Sequence, residues 1–239
     1  MTDSPVTMII APLSTHERSG WWHPNLGKFV SDLPHMVGYA TSVCPMHNFT
    51  PAASARNILC KKVLELEEYP DWICMIDNDM DPPYNLLDTV KDAPADAGIV
   101  VPEFSMFNQT EKKLTLCWSP DIPEYDGHPI KLDIGFHRLV KCGTGAIFIK
   151  PEAFRNIAYP YFTYVYNEDG MQTGTEDIAF CEKAIKAGVK IYGNNRIRVG
   201  HYKSVDLGVL SQMLNRLDRT AGTSIDSMSK AECPSAAAR

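Results

Sequence analysis

The sequence predicts an α/β fold: a central, mostly parallel sheet with flanking helices, followed by a smaller antiparallel region. Three observations predict it. Over residues 6–101, short apolar runs of strand length alternate with segments of helical periodicity, in the order β-α-β-α-β-α-β. The run Trp72–Ile76 is apolar throughout and Val6–Ala11 is so but for Thr7, as buried strands are. The second run leads into three carboxylates, Asp77, Asp79 and Asp81, and open α/β sheets bind ligands at the carboxyl ends of their strands.

Taken in order, Val6–Pro12 reads as the first strand, ended by proline. Leu13–Pro24, rich in His, Ser, Gly and Trp, reads as a long functional loop. Within it Trp21-Trp22-His23 offers rings that can stack on a sugar or a base, or simply pack into the core. Asn25–Leu33 reads as a short helix and Val37–Cys44 as the second strand. Ser54–Glu68 sets Ile58, Leu59, Val63, Leu64 and Leu66 at helical spacing, with no breaker before Pro70. Its first turn carries Arg56 and Asn57. A cation there opposes the helix dipole, so Arg56 implies an anionic ligand or else a solvated surface position.

After the third strand, Trp72–Ile76, residues two apart in an extended turn point the same way, so Asp77 and Asp79 can converge on one ion. Carboxylate oxygens are hard ligands suited to Mg²⁺ or Mn²⁺. Asp and Asn are equally common as plain turn residues, and Asp81 before Pro82-Pro83 reads as the N-cap of a helix running to about Val90. Ala97–Val101 is the fourth strand.

From Glu103 to Lys141, short apolar pieces interrupted by Pro, Asp, Gly and Asn predict antiparallel strands and loops, with a mobile loop over Asp121–Pro129. Gly143-Thr144-Gly145 precedes a further strand, and its glycines let the backbone approach a ligand closely. A short helix over Glu152–Ile157 comes next. Tyr159–Tyr166, with five rings, reads as pocket lining or as an ordinary core edge. Thr175-Glu176-Asp177 opens an amphipathic helix closed by Lys186-Ala187-Gly188, where first-turn acids complement the dipole or do chemistry. Strands over Val189–Tyr192 and Arg196–Val199 follow, the second leading to Gly200-His201-Tyr202-Lys203. Val205–Leu217 reads as a helix and Thr220–Arg239 as a disordered tail.

Composition narrows the function classes. The 239 residues are 44% hydrophobic and 22% charged, as in a globular protein. The net charge of -6 gives no global drive toward nucleic acid or anionic membrane. Seven cysteines form no C-x-x-C pair, which argues against a zinc site and for buried reduced thiols. No apolar run is long enough to span a bilayer, and no signal peptide is evident, so a cytoplasmic location is expected. Neither the dinucleotide fingerprint nor a P-loop is present.

The motifs occur in a definite order: Ala55-Arg56-Asn57, then Ile76-Asp77-x-Asp79-Met80, Gly143-Thr144-Gly145-Ala146, Thr175-Glu176-Asp177-Ile178, and Val199-Gly200-His201-Tyr202-Lys203. In this order and spacing the sequence resembles GT-A-fold glycosyltransferases of the family-2-like group, from about Val6 to Lys203. It is most similar to compact single-domain members, a form common in bacteria and bacteriophages. The resemblance implies a GT-A (Rossmann-like) fold and one catalytic domain over 1–219. Within it, 1–102 would hold the nucleotide-sugar and 103–219 the acceptor. It implies a UDP- or GDP-sugar donor and Mn²⁺ or Mg²⁺, with Asp77, Asp79 and His201 at the metal. Arg56, Asp77, Gly143, Thr144, Gly145 and Lys203 would contact the donor. Asp177 matches the carboxylate that is the general base in the family's inverting members and has another role in its retaining ones, with Glu176 beside it to orient the acceptor or cap the helix. The loop Ser14–Trp22 lacks the family's common Tyr-Asn pair, so the donor base is left open.

The acceptor is a hydroxyl, of a saccharide first, with a protein or a modified DNA base as alternatives. Arg196, Arg198 and Lys203 cluster in sequence as cations for an anionic acceptor or for the donor diphosphate. Two competing functions remain on the same fold: a sugar nucleotidyltransferase and a non-catalytic carbohydrate-binding protein. The first wants a glycine-rich basic loop after the first strand, where Pro12–Arg18 has no glycine. Retention of Asp77, Asp79, Asp177 and His201 together argues against the second.

Overall fold

The computed structural model describes residues 4–14, 22–49, 51–108, 113–123, 125, 131–202, 207–208 and 210–211. The chain divides into two compact units. The first, Met1–Met106 with Thr115–Tyr202, carries the central sheet. In the second, Phe107–Leu114 with Lys203–Arg239, the described residues are 107–108, 113–114 and the helical 207–208 and 210–211.

The chain opens with β1 (Val6–Leu13), α1 (Pro24–Asp32), β2 (Tyr39–Val43), α2 (Ala52–Leu64) and β3 (Trp72–Asp77). A two-residue β4 (Met80–Asp81) precedes β5 (Ala97–Glu103). Then come β6 (Ser105–Asn108), β7 (Lys113–Leu116), β8 (Trp118–Pro120), β9 (Phe136–Cys142) and β10 (Ala146–Ile149). The chain continues through β11 (Val165–Tyr166), β12 (Gln172–Gly174), α3 (Glu176–Lys186), β13 (Lys190–Arg198) and β14 (Gly200–His201).

Eight strands form one sheet in the order β2-β1-β3-β10-β5-β13-β9-β8. The pairs β2–β1, β1–β3 and β5–β13 are parallel. The α/β class read from the sequence holds, with one feature no local signal announces. β10 lies antiparallel between β3 and β5. A run such as Ala146–Ile149 carries no mark of its direction, which is set by the route of the chain out of β9. The antiparallel part expected from Glu103 onward is the pairing of β13 with β9 and of β9 with β8.

The strands form where they do because their apolar runs fill the core. Ile73, Cys74, Met75 and Ile76 of β3 and all four residues of β10 are buried, as central strands covered on both faces require. α2 buries Ala53, Ala55, Leu59, Cys60 and Val63 against that core, and α3 packs on β9 and β13 through residues such as Phe180, Cys181 and Ala184.

Two expectations need correction. Asp81 does not cap a helix: it sits in β4, and between Asp81 and Lys91 the helical piece is a 3-10 turn over Leu86–Val90. Pro82-Pro83 leaves two positions without a backbone donor, and β4 pairs with β14 instead. The two strands expected after α3 are one strand, β13, because Asn194 turns inward and donates from Nδ2 to the Thr89 carbonyl. Of the helix expected over Val205–Leu217, residues 207–208 and 210–211 are helical and the rest lies outside the described residues, as do the tail after Thr220, most of the Asp121–Pro129 loop, Trp21 and Lys203.

Candidate active site

The site gathers at the carboxyl end of β3. Asp77 closes the strand, and Asn78-Asp79 form a tight turn into β4. The turn is fixed by backbone bonds on every side. The Asp77 amide donates to the Gly145 carbonyl (2.8 Å), the Asn78 amide to the Leu13 carbonyl (2.9 Å), and the His23 amide to the Asn78 carbonyl (2.9 Å). The Tyr202 amide donates to the Asp79 carbonyl (2.9 Å). Segments from five places in the sequence therefore meet at three residues.

The turn sends its two carboxylates to different partners. Asp77 Oδ1 accepts from Arg56 Nη2 at 2.7 Å, whereas Asp79 Oδ2 lies 3.6 Å from His201 Nε2. The expected same-side projection of Asp77 and Asp79 belongs to an extended chain, and Asn78 is in a turn.

Arg56 is 1% exposed, one turn into α2. Besides Asp77, its Nη1 donates to Glu176 Oε1 (3.3 Å) and its Nη2 reaches the Thr144 carbonyl (3.4 Å). Its Nε has no partner among the described residues. The Phe162 ring lies 6.0 Å below the guanidinium. The cation at the helix start is thus explained by two carboxylates of this chain, and the solvated alternative does not apply. Removing one member of such a buried pair costs roughly 3–5 kcal/mol.

Gly143-Thr144-Gly145 links β9 to β10 beside the acidic turn. A Cβ on Gly145 would meet Met80 Sδ at 3.0 Å and Phe104 Cζ at 3.3 Å. The close approach inferred from the sequence is therefore an approach to Met80 and Phe104, directly under the turn.

His201 reaches the site through the β4–β14 pairing, opposite Met80. Gly200, opposite Asp81, is required there, because an added Cβ would sit 2.9 Å from Asp81 Cβ. His201 Nδ1 lies 3.1 Å from the Ser105 carbonyl, which only accepts, so the ring proton is on Nδ1. Nε2 then faces Asp79 with its lone pair whenever the ring is neutral. Phe104 meets the ring edge-on at 5.8 Å. Both the His201 and Asp79 side chains are 10% exposed.

At the start of α3, Glu176 is held by Arg56. Asp177 Oδ1 accepts from the Thr175 hydroxyl and the Ile178 amide, the pattern of a first-turn cap. Both of these hydrogen bonds fall on Oδ1. Tyr164 has its phenol pushed up by burial, then by the neighbouring Glu176 charge.

An imidazole nitrogen fixed by a second-sphere carbonyl, beside a carboxylate, suits a first-row divalent ion. Asp79 and His201 fit as a two-residue anchor. No group of three or more His, Cys, Asp or Glu side chains assembles to hold a metal among the described residues. Asp77, expected in that set, accepts from Arg56 Nη2 through Oδ1.

Several further residues singled out in the sequence have defined partners around the site. His23 caps α1, accepting from the Asn25 amide (3.3 Å), and stacks on Tyr202 at 4.0 Å. Asp81 accepts from Asn25 Nδ2 (2.7 Å). Ser14 Oγ bonds His47 Nδ1 (2.7 Å), and Trp22 stacks on His47 at 5.6 Å. Of the Tyr159–Tyr166 rings, Tyr161 and Phe162 are core, with Phe162 stacked on Phe180 at 4.2 Å, while Tyr159 and Tyr166 are exposed. The basic cluster has other partners: Arg198 pairs with Glu103 (2.8 Å) and Arg196 lies over Phe136.

No family model matches the chain, and no curated protein matches it. Solved structures do. The crystal structure of A197 from STIV is 17% identical, with 83% of this chain and 86% of that chain covered, at a TM-score of 0.52. GalNAc-T7, crystallised with UDP, GalNAc and Mn²⁺, is 13% identical over 86% of this chain, which spans 45% of that protein, at a TM-score of 0.49. The catalytic domain of Drosophila β1,4-galactosyltransferase 7, in complex with xylobiose, is 15% identical, with 79% and 64% covered, at a TM-score of 0.40. The last two likenesses carry no part of the functional reading. The chain has the mixed α/β sheet with flanking helices that the sequence predicts, and shares its architecture with A197 across most of both chains.

Proposed function

We propose that the chain is a metal-dependent glycosyltransferase that moves a sugar from a UDP- or GDP-sugar to a hydroxyl acceptor. The observation that carries this reading is the meeting of Asp79 and His201 at the end of β3, beside Arg56, Asp77, Gly145 and Glu176. These residues come from five motifs, and the only property they share beforehand is membership of one glycosyltransferase-like pattern. A divalent ion held by Asp79 and His201, Mn²⁺ or Mg²⁺, would supply charge neutralisation for the leaving diphosphate.

The chain's own groups have defined tasks in this reading. The backbone of Gly143, Thr144 and Gly145 and the Asp77 turn line the donor side. Asp177 takes the proton of the acceptor hydroxyl on Oδ2. The hydroxyl oxygen bonds to the anomeric carbon, the carbon–phosphate oxygen bond breaks, and the nucleoside diphosphate leaves with that electron pair. The Thr175 hydroxyl and the Ile178 amide hold the Asp177 carboxylate in place while it does so. Glu176 keeps the start of α3 beside the donor side through Arg56. A saccharide is the acceptor we favour, since the described part of the basic cluster is engaged with Glu103 and Phe136 and no anionic acceptor is called for.

The test is release of nucleoside diphosphate from UDP- and GDP-sugars with Mn²⁺ and a set of saccharide acceptors. Pyrophosphate release from a nucleoside triphosphate and a sugar 1-phosphate would instead favour the nucleotidyltransferase. Sugar binding with neither reaction would favour a carbohydrate-binding protein.

A further inference from the structure

We infer that Arg56 is a positioning residue: it aligns the Glu176-Asp177 end of α3 with the Asp77 turn, and acts on transfer through that alignment without touching the donor. The inference rests on the transferase reading above, and it replaces the direct donor contact that the family resemblance implies for Arg56.

The geometry is specific. One guanidinium, 1% exposed, reaches three connections of the fold: the turn after β3 (Asp77, 2.7 Å), the β9–β10 link (Thr144 carbonyl, 3.4 Å) and the start of α3 (Glu176, 3.3 Å). Asn57, the next residue, adds a fourth. Its Nδ2 donates to the Phe162 carbonyl (2.8 Å) and its Oδ1 accepts from the Phe162 amide (2.9 Å). Asp77 and Glu176 are 99 residues apart, and both accept from the same side chain.

Stability alone does not call for this. A buried ion pair contributes little more than well-packed apolar residues of the same volume, and what it adds is a fixed arrangement. A guanidinium presents its two Nη groups in a rigid plane, so it holds two carboxylates at a set separation, which the single ammonium of lysine does not. The guanidinium is 1% exposed, so a donor phosphate does not reach the Nη groups unless the residues around them move. Meanwhile a misplacement of about 1 Å between reacting groups costs on the order of 10²-fold in rate.

Two measurements test the inference. In the ligand-free protein, ¹⁵N NMR of the Arg56 guanidinium is expected to show separate, slowly exchanging Nη1 and Nη2 signals, with the Nη1 signal lost in Glu176→Ala. Averaged Nη signals in the wild type would overturn the clamp. This readout is independent of activity, so a clamp found in a protein that transfers no sugar would fault the transferase reading and not the clamp. The second measurement is kinetic. Arg56→Lys is expected to bind the donor within about threefold of wild type while single-turnover transfer falls about 10²-fold. Wild-type transfer, or an equal fall in donor affinity, would overturn the inference. Should Arg56→Lys not fold, Glu176 variants decide the question. Glu176→Ala is expected to lose about 10²-fold in transfer, and Glu176→Gln, which keeps an oxygen for Nη1, to recover to within about tenfold of wild type. Equal losses in both would overturn it, since they would mark Glu176 as a group needed for its charge.

Discussion

His201 Nε2 lies 3.6 Å from Asp79 Oδ2, longer than a hydrogen bond, with its other nitrogen donating to the Ser105 carbonyl. The ring is therefore oriented before any ligand arrives. A backbone carbonyl that fixes the tautomer also makes Nε2 a better donor to a cation. The pair is brought together by the β4–β14 register, so two strands of two residues each carry the site.

Asp79→Asn keeps the size of the side chain and removes its charge. Donor affinity in the presence of Mn²⁺ should fall at least about tenfold, as expected when a carboxylate ligand is lost. The melting temperature should stay within a few degrees, because the Asp79 backbone bond to Tyr202 survives. Titration of the variant and a thermal melt check both halves. Unchanged Mn²⁺-dependent turnover would remove Asp79 from the metal.

His201→Ala should weaken apparent Mn²⁺ affinity by about 10- to 100-fold, the range for groups that bind or orient a metal. Its structural losses are the Ser105 hydrogen bond and the edge contact with Phe104, together about 1–2 kcal/mol. Metal affinity and melting temperature measured on one sample separate the roles. A large thermal loss with unchanged Mn²⁺ affinity would leave His201 a strand-end residue.

Asp177→Asn retains an oxygen for the Thr175 hydroxyl and the Ile178 amide, so α3 keeps its first turn. Donor and Mn²⁺ affinity should survive while transfer falls by about 10²- to 10⁴-fold, the range for a lost general base. The loss of a first-turn charge costs the helix only about 0.3–1 kcal/mol and cannot account for that. Near-wild-type transfer would leave Asp177 a cap and point to another base or to a retaining mechanism.

Tyr39 gives a pH prediction away from the site. Burial, then its hydrogen bond to Asp88 and that residue's charge, push its phenol above the ordinary tyrosine range. The unfolded phenol loses its proton first, near pH 10, so above that the folded state binds more protons and stability falls as pH rises. The contribution is fully present below about pH 10 and is lost as pH climbs through the folded pKa. Tyr39→Phe should flatten this part of the alkaline decline. Urea unfolding of both proteins from pH 8 to 11 measures it, and parallel curves would contradict it.

The legible part of the fold was the part written locally. β1, β3 and α2 follow from apolar runs and helical spacing, and the Asp77 turn from its place after a buried strand. The direction of β10 was not legible, because an apolar tetrad reads the same both ways. The Pro82–Val90 helix failed because the cap signal of Asp81 before two prolines was outweighed by a tertiary pairing, β4 with β14. Motif order alone singled out His201 and the acidic turn, and the structure sets His201 Nε2 3.6 Å from Asp79 Oδ2. The contacts of Arg56 could not be read from motif order, since both its carboxylates lie far away in sequence. Ser105, Phe104 and His23 act through a backbone carbonyl, a ring edge and a cap, none of which leaves a pattern in the chain.

The central claim is that this site binds a nucleotide-sugar through a divalent ion. Calorimetric titration of UDP- and GDP-sugars into the wild-type protein, with Mn²⁺ and then with a chelator, tests it most directly. The account predicts saturable one-to-one binding of at least one of the two donors with Mn²⁺, and its loss with the chelator. Binding that is the same with and without metal, or no binding of either donor, would contradict it.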